Sequence, residues 1–230
     1  MTRVLVRALA IGVGAAGLFV GGVGFLHTTA GRPLLHALSN VAHGGCPFGY
    51  DKPMSPAARE RAGSSFATTH RGSARATNRP ALGFHLDETT RAEVTAELAK
   101  RGVTCVAAKG LSDMTCNGVP SDALAGAPAP KRNLWLTFGE RGQLLSVVAI
   151  SRDSSADSIS DAYRATERSL DQRAGAATAT QGDAAPQALS SGALRQASAE
   201  FRFSNYYALT RVTNMGNGFV LTEEYRSLPG

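Results

Sequence analysis

Hydrophobic and polar positions change rhythm several times along this chain, and each rhythm predicts a different kind of element. From Ala8 to Leu26 (ALAIGVGAAGLFVGGVGFL) nineteen consecutive residues carry no charge. As a helix rising about 1.5 Å per residue they reach roughly 28 Å, close to the ~30 Å hydrocarbon core of a bilayer. Gly31-Arg32-Pro33 breaks that run. Leu34, Leu35, Leu38 and Val41 then have helical spacing, suited to a short helix or to lying on a membrane surface. Ser55-Pro56 is a helix start, with serine as the cap and proline in the first turn, and predicts a short helix near 56–68 followed by coil.

A folded pattern begins near Leu82. Asp87 reads as the cap of a helix over 88–101, with Val94 and Leu98 on one face and Gly102 ending it. Residues 103–107 and 114–119 read as short strands. Leu134, Leu136 and Phe138 alternate with Trp135 and Thr137, and Gly139-Glu140-Arg141-Gly142 makes a turn into 143–150. This is a hairpin with one buried face. Over 157–174 the period returns to helical, with Ile159, Ala162, Tyr163, Thr166 and Leu170 on one side. Residues 175–192 are small and polar and read as loop. A second hairpin runs through 200–214 and 218–227, turned by the Asn217-Gly218 pair that favours positive φ. The order predicts an α+β protein: an N-terminal transmembrane helix over 1–30, a flexible basic tether over 31–81, and a globular domain over 82–230. In that domain an antiparallel sheet of hairpins carries helices on one face.

The charges orient the first segment. Arg3, Arg7 and the terminal amine precede it, and Arg32 alone follows closely. Positive residues stay inside, so the N-terminus is cytoplasmic and the rest is exported, a single pass through a bacterial-type inner membrane. Two fates fit the segment: a retained signal anchor, or a signal peptide cut after Thr28-Thr29-Ala30, which would release the domain. Ala10, Gly14, Gly17, Gly21 and Gly24 recur at spacings of three and four and share one helical face. That face lets two backbones approach closely, so self-association through the membrane helix is one partner expectation.

The net charge of +6 is uneven: Lys52, Arg59, Arg61, Arg71, Arg75 and Arg79 stand against one acid, Glu60, between residues 52 and 80. An exported basic stretch suits anionic membrane lipid, acidic wall polymers or simple solvation. With Phe66 as the run's single aromatic, nucleic-acid binding is not expected.

Candidate chemistry is sparse. Of three cysteines, Cys105 and Cys116 lie eleven apart around a turn-rich stretch, and export favours their pairing as a disulfide. Cys46 is left over, three residues after His43. Imidazole and thiolate at this spacing suit copper or haem iron as a metal site. An interchain disulfide also fits Cys46, as does a free thiol or mispairing with Cys105 or Cys116, and no cofactor is required. Phe201 and Phe203 share one side of a strand and read as core. Tyr206 and Tyr207 point oppositely, so one of them faces solvent, and Glu223 and Glu224 also point oppositely and form no acid/base couple. No nucleophile elbow, zinc helix, phosphate loop or dinucleotide fingerprint is present, so no catalytic residue is assigned.

Leu82-Gly83, Thr89-Thr90 and Val94, running into a helix and a hairpin, resemble the opening of small BamE/SmpA-like bacterial envelope proteins over residues 82–150. The resemblance implies a helix followed by a meander, and an envelope address. The lipid-attachment sequence usual in that family is absent, since His43 stands where an apolar residue precedes the cysteine by three. Together these readings predict a membrane-anchored envelope protein whose exported domain binds another envelope component. The alternatives are a redox, haem or metal-handling protein using His43 and Cys46, and a small exported hydrolase.

Overall fold

The computed structural model describes residues 55–107, 112–125 and 129–228. Among them the chain runs α1 (Pro56–His70), β1 (Pro80–Ala81), β2 (Phe84–His85), α2 (Arg91–Ala99), β3 (Cys105–Ala107), β4 (Asp113–Val119), β5 (Arg132–Phe138), β6 (Leu144–Asp153), α3 (Ala156–Ala174), β7 (Ala179–Gln181), α4 (Pro186–Ser190), β8 (Gln196–Arg202), β9 (Tyr206–Asn214) and β10 (Phe219–Ser227). A short 3-10 turn occupies Ser121–Ala123. The fold is α+β, as the alternation of periods predicts.

Eight strands form one antiparallel sheet in the order β3-β4-β5-β6-β10-β9-β8-β7, and β1 pairs with β2 in a separate hairpin. The sheet consists of two four-strand meanders, each preceded by a helix and joined where β6 pairs with β10. The halves repeat at an offset of about 75 residues. Helices α2 and α3 end at Ala99 and Ala174, β3 and β7 begin at Cys105 and Ala179, and β5 and β9 begin at Arg132 and Tyr206. Each meander is thus a sequence-local unit, and the long-range step is the β6–β10 seam.

Alternation sorts the side chains onto two faces. On the covered face, Leu134, Leu136, Val147, Ala149, Phe201, Ala208, Val212 and Leu221 pack with Val94 and Leu98 of α2 and with Ile159, Tyr163 and Leu170 of α3. The charged positions of α3 face outward, the amphipathic pattern that docks a helix on a sheet. Tyr206, on this face, donates its hydroxyl to the Pro80 carbonyl at 2.6 Å and so ties β1 to the core.

Several sequence expectations shift. The second helix starts at Arg91, not at 88, because Thr90 is the cap: its hydroxyl accepts from the Glu93 N–H, and Glu93 reaches back to the Thr90 N–H. That reciprocal pair outcompetes Asp87, which sits at φ 70° and binds Arg79 and Ser227 instead. The expected loop 175–192 contains β7 and α4. Residues 200–214 are two strands, split at Phe203-Ser204-Asn205, where the Phe203 N–H bonds to the Tyr206 carbonyl. The described part of the expected tether is folded: α1 follows its Ser55 cap, and Ala76 and Ala81 enter the core. Helices are also not confined to one face, since α1 lies on the other. No helix among the described residues is long and apolar enough to cross a membrane, and the Ala8–Leu26 run lies outside them.

Candidate binding face

The second face of the sheet is only partly covered. Over the β8–β10 side, Ala67 and Phe66 of α1 pack with Tyr207, Leu209 and Leu228. The Phe66 ring meets Tyr207 edge-on at 5.0 Å, and the Arg226 guanidinium lies 4.3 Å above Phe66. His70 Nδ1 stands 3.1 Å from Glu200, which also accepts from Arg202 at 2.6 Å. Burial pushes the Glu200 carboxyl up, but its hydrogen bonds with Arg202, Tyr207 and His70 outweigh that and hold it below its ordinary value. Tyr207 is therefore buried, contrary to the expectation that one of the tyrosine pair faces solvent. Alternation does send it away from the core, and α1 then covers it.

Over the β3–β6 side nothing among the described residues takes the place of α1. One register row carries Val106, Thr115, Trp135 and Val148 across β3, β4, β5 and β6, and continues into Glu224 and Leu209 beneath α1. The next row carries Asn133, Ile150, Thr222 and Arg211. Trp135 is 45% exposed and Val106 63% exposed, against complete burial of Leu134 and Leu136 beside Trp135 on the same strand. Arg152 and Arg211 flank Val220 and Thr222 of β10, both are exposed, and neither has an acidic partner among the described residues.

On the covered face one charge pair is wholly inside. Arg132 Nε donates to Glu223 Oε1 at 2.9 Å, with side chains 0% and 2% exposed, and the Tyr225 hydroxyl donates to Glu223 Oε2 at 2.7 Å. One strand, β6, separates the partners, and its residues between them are small: Ser151 opposes Arg132, and Ala149 opposes Glu223. That leaves a channel in which the arginine stem crosses β6. Burial raises the Tyr225 phenol well above its ordinary value, so it remains a donor. The crevice reaching Glu223 and Tyr225 encloses about 10 Å³, room for a single water. The arrangement clips one meander to the other.

An open groove of about 530 Å³ runs along α2 and β2, with Glu88, Glu93, Glu97 and His85 at its rim. Its carboxylates have local work. The Thr90 N–H and hydroxyl hold Glu93 below its ordinary value, and Lys100, 2.7 Å away, does the same for Glu97. Among the described residues no group of three or more His, Cys, Asp or Glu is placed to hold a metal ion.

Cys105 and Cys116, predicted as a pair, lie directly opposite in the β3–β4 register with their sulfurs at bonding distance. His43 and Cys46, the candidate metal site, and Gly14, Gly17, Gly21 and Gly24, the candidate helix-packing face, lie outside the described residues. Sequence reading missed Arg132 and Glu223, although a signal existed. Arg132 has the parity of Leu134 and Leu136, and Glu223 that of Leu221 and Tyr225, so each is a charge at a core position. Trp135 was already marked by its opposite parity to its leucine neighbours. Comparison of the chain with protein-family models, curated proteins and solved structures returned no match to any of them.

Proposed function

We propose that this is a membrane-anchored protein of a bacterial-type envelope whose exported α+β domain works by binding, using the uncovered half of its sheet to dock another envelope protein. The observation that carries the reading is the exposure of Trp135 and Val106 on an antiparallel sheet whose first face is covered by α2 and α3 and whose second face is covered in part by α1. An exposed tryptophan centred in an apolar row is a recurrent anchor of protein interfaces. The uncharged Ala8–Leu26 run with Arg3 and Arg7 before it supports a single-pass anchor with the N-terminus in the cytoplasm. The Cys105–Cys116 pair supports an oxidising compartment for the domain. The resemblance of residues 82–150 to BamE/SmpA-like proteins adds an envelope address.

The test is site-specific photo-crosslinking in intact cells. A photoreactive residue replaces Trp135 in one strain and Arg164, exposed on the helix-covered side, in another. A discrete adduct from position 135 and none from 164 is expected. Equal or absent labelling at the two positions would remove the binding reading.

A further inference from the structure

Resting on that docking reading, we infer that the occupant of the uncovered half-sheet is an acidic amphipathic helix of a partner protein. It lies beside α1, its apolar side on Trp135, Val148 and Ile150 and its carboxylates toward Arg152 and Arg211.

The molecule itself shows what this face takes. On the β8–β10 side the seat is filled by a helix, α1, through an aromatic ring (Phe66), a small residue (Ala67) and a polar contact from its last turn, His70 to Glu200. The same face continues past α1: Leu209 beneath α1 shares its register row with Val148, Trp135, Thr115 and Val106, with Glu224, paired to Arg226, between Leu209 and Val148. An apolar row that crosses strands at right angles is matched by a rod lying across them, which a helix supplies. A bound strand would instead seek the hydrogen-bonding groups of a sheet edge.

Charge selects the sign of the partner. Where α1 packs, two cations of the face are already matched, Arg202 by Glu200 and Arg226 by Glu224. Arg152 of β6 and Arg211 of β9, both exposed, stand about 12 Å apart across β10, with Val220 and Thr222 between them and no carboxylate opposite either among the described residues. Two uncompensated guanidinium groups beside an apolar row favour an incoming surface with carboxylates next to its leucines or aromatics. A second copy of this chain is disfavoured by the same charges, since stacking two such faces brings like arginines together in a chain of net charge +6.

The chain's one tryptophan is Trp135 itself, so its fluorescence reports on the seat directly. The probe is a pair of fifteen-residue helical peptides with identical leucine faces, one flanked by glutamates and the other by lysines. They are titrated into the full-length protein in a zwitterionic detergent. The glutamate peptide is expected to shift Trp135 emission to the blue, shield it from acrylamide, and bind about tenfold or more tightly than the lysine peptide. The exposed-site variant Arg152→Glu/Arg211→Glu is expected to reverse that preference while leaving the unfolding midpoint unchanged. Equal effects of the two peptides, or none from either, overturn the inference. Protection of Trp135 by phosphatidylglycerol vesicles without protection by the glutamate peptide also overturns it, and assigns the face to anionic lipid. Crosslinks at position 135 in cells together with peptide failure would reject the acidic helix alone. Absent crosslinks would reject the docking reading beneath it.

Discussion

At the scale of single residues, the most consequential feature is a charge pair placed where the alternation calls for hydrophobes. Arg132 and Glu223 are 91 residues apart in the chain and meet only because β6 pairs with both β5 and β10. Removing one partner strands the other charge in the interior. Arg132→Ala should therefore lower unfolding stability by about 3–5 kcal/mol, measured by urea denaturation. Replacing both at once, Arg132→Met with Glu223→Leu, should cost much less, because the desolvation of two ions disappears with their attraction. A double mutant no more stable than Arg132→Ala would mean that the pair is needed for the seam itself. Gly182 makes a second residue-scale demand. Its φ is 74°, and a Cβ there would sit 2.1 Å from the Gln196 carbonyl oxygen, so Gly182→Ala should push β7 off β8. Loss of amide protection confined to residues 179–181 would register that, with the rest of the sheet unchanged.

Elements were legible in proportion to how local their signals are. The Ser55 cap, the Gly102 stop at φ 71°, the amphipathic face of α3 and the Asn217-Gly218 turn act over a few residues, and the chain obeys them. Two adjacent capping signals, Asp87 and Thr90, competed for α2, and the complete capping box won. Thr90→Ala should cost about 1 kcal/mol and fray the first turn, visible as faster amide exchange at Val94. Helix α1 is the other instructive element. It lacks a strongly apolar stripe and buries little besides Ala67, so its docking leans on the contacts of Phe66, His70 and Arg226. Its acid dependence follows from Glu200. A carboxylate held below its ordinary value of 4.5 when folded adds stability that is fully present above that value and is lost as pH falls through the lower, folded value. Amide protection across 58–70 should accordingly drop on acidification below about pH 4.5, and Glu200→Gln should remove much of that dependence. Protection of α1 that is flat through this range would show that Glu200 takes no part in holding it.

For the molecule as a whole, stability is organised by two closures. The Cys105–Cys116 bond ties the outermost strand of the first meander, three residues long, to its neighbour. Closing an eleven-residue loop is worth about 2–3 kcal/mol in the chain-entropy account, so reductant should lower the thermal midpoint, with no further loss in a Cys105→Ser/Cys116→Ser variant. An identical midpoint with and without reductant would place β3 outside the cooperative unit. The second closure is the β6–β10 seam, and its connectivity could not be read from periodicity. Alternation states that a strand has two unlike faces; it is silent about which strand lies alongside and what lies above. By itself the sequence determined the class of elements, most of their ends, the cysteine pairing and the parity that separates Trp135 from Leu134 and Leu136. Tertiary structure alone decided that Tyr207 is covered while Trp135 is open, that Arg132 finds Glu223, and that a helix from the expected tether occupies half of the second face. The reason is physical: backbone propensity and side-chain parity act between near neighbours, whereas burial depends on the element opposite, which the chain supplies from far along its length.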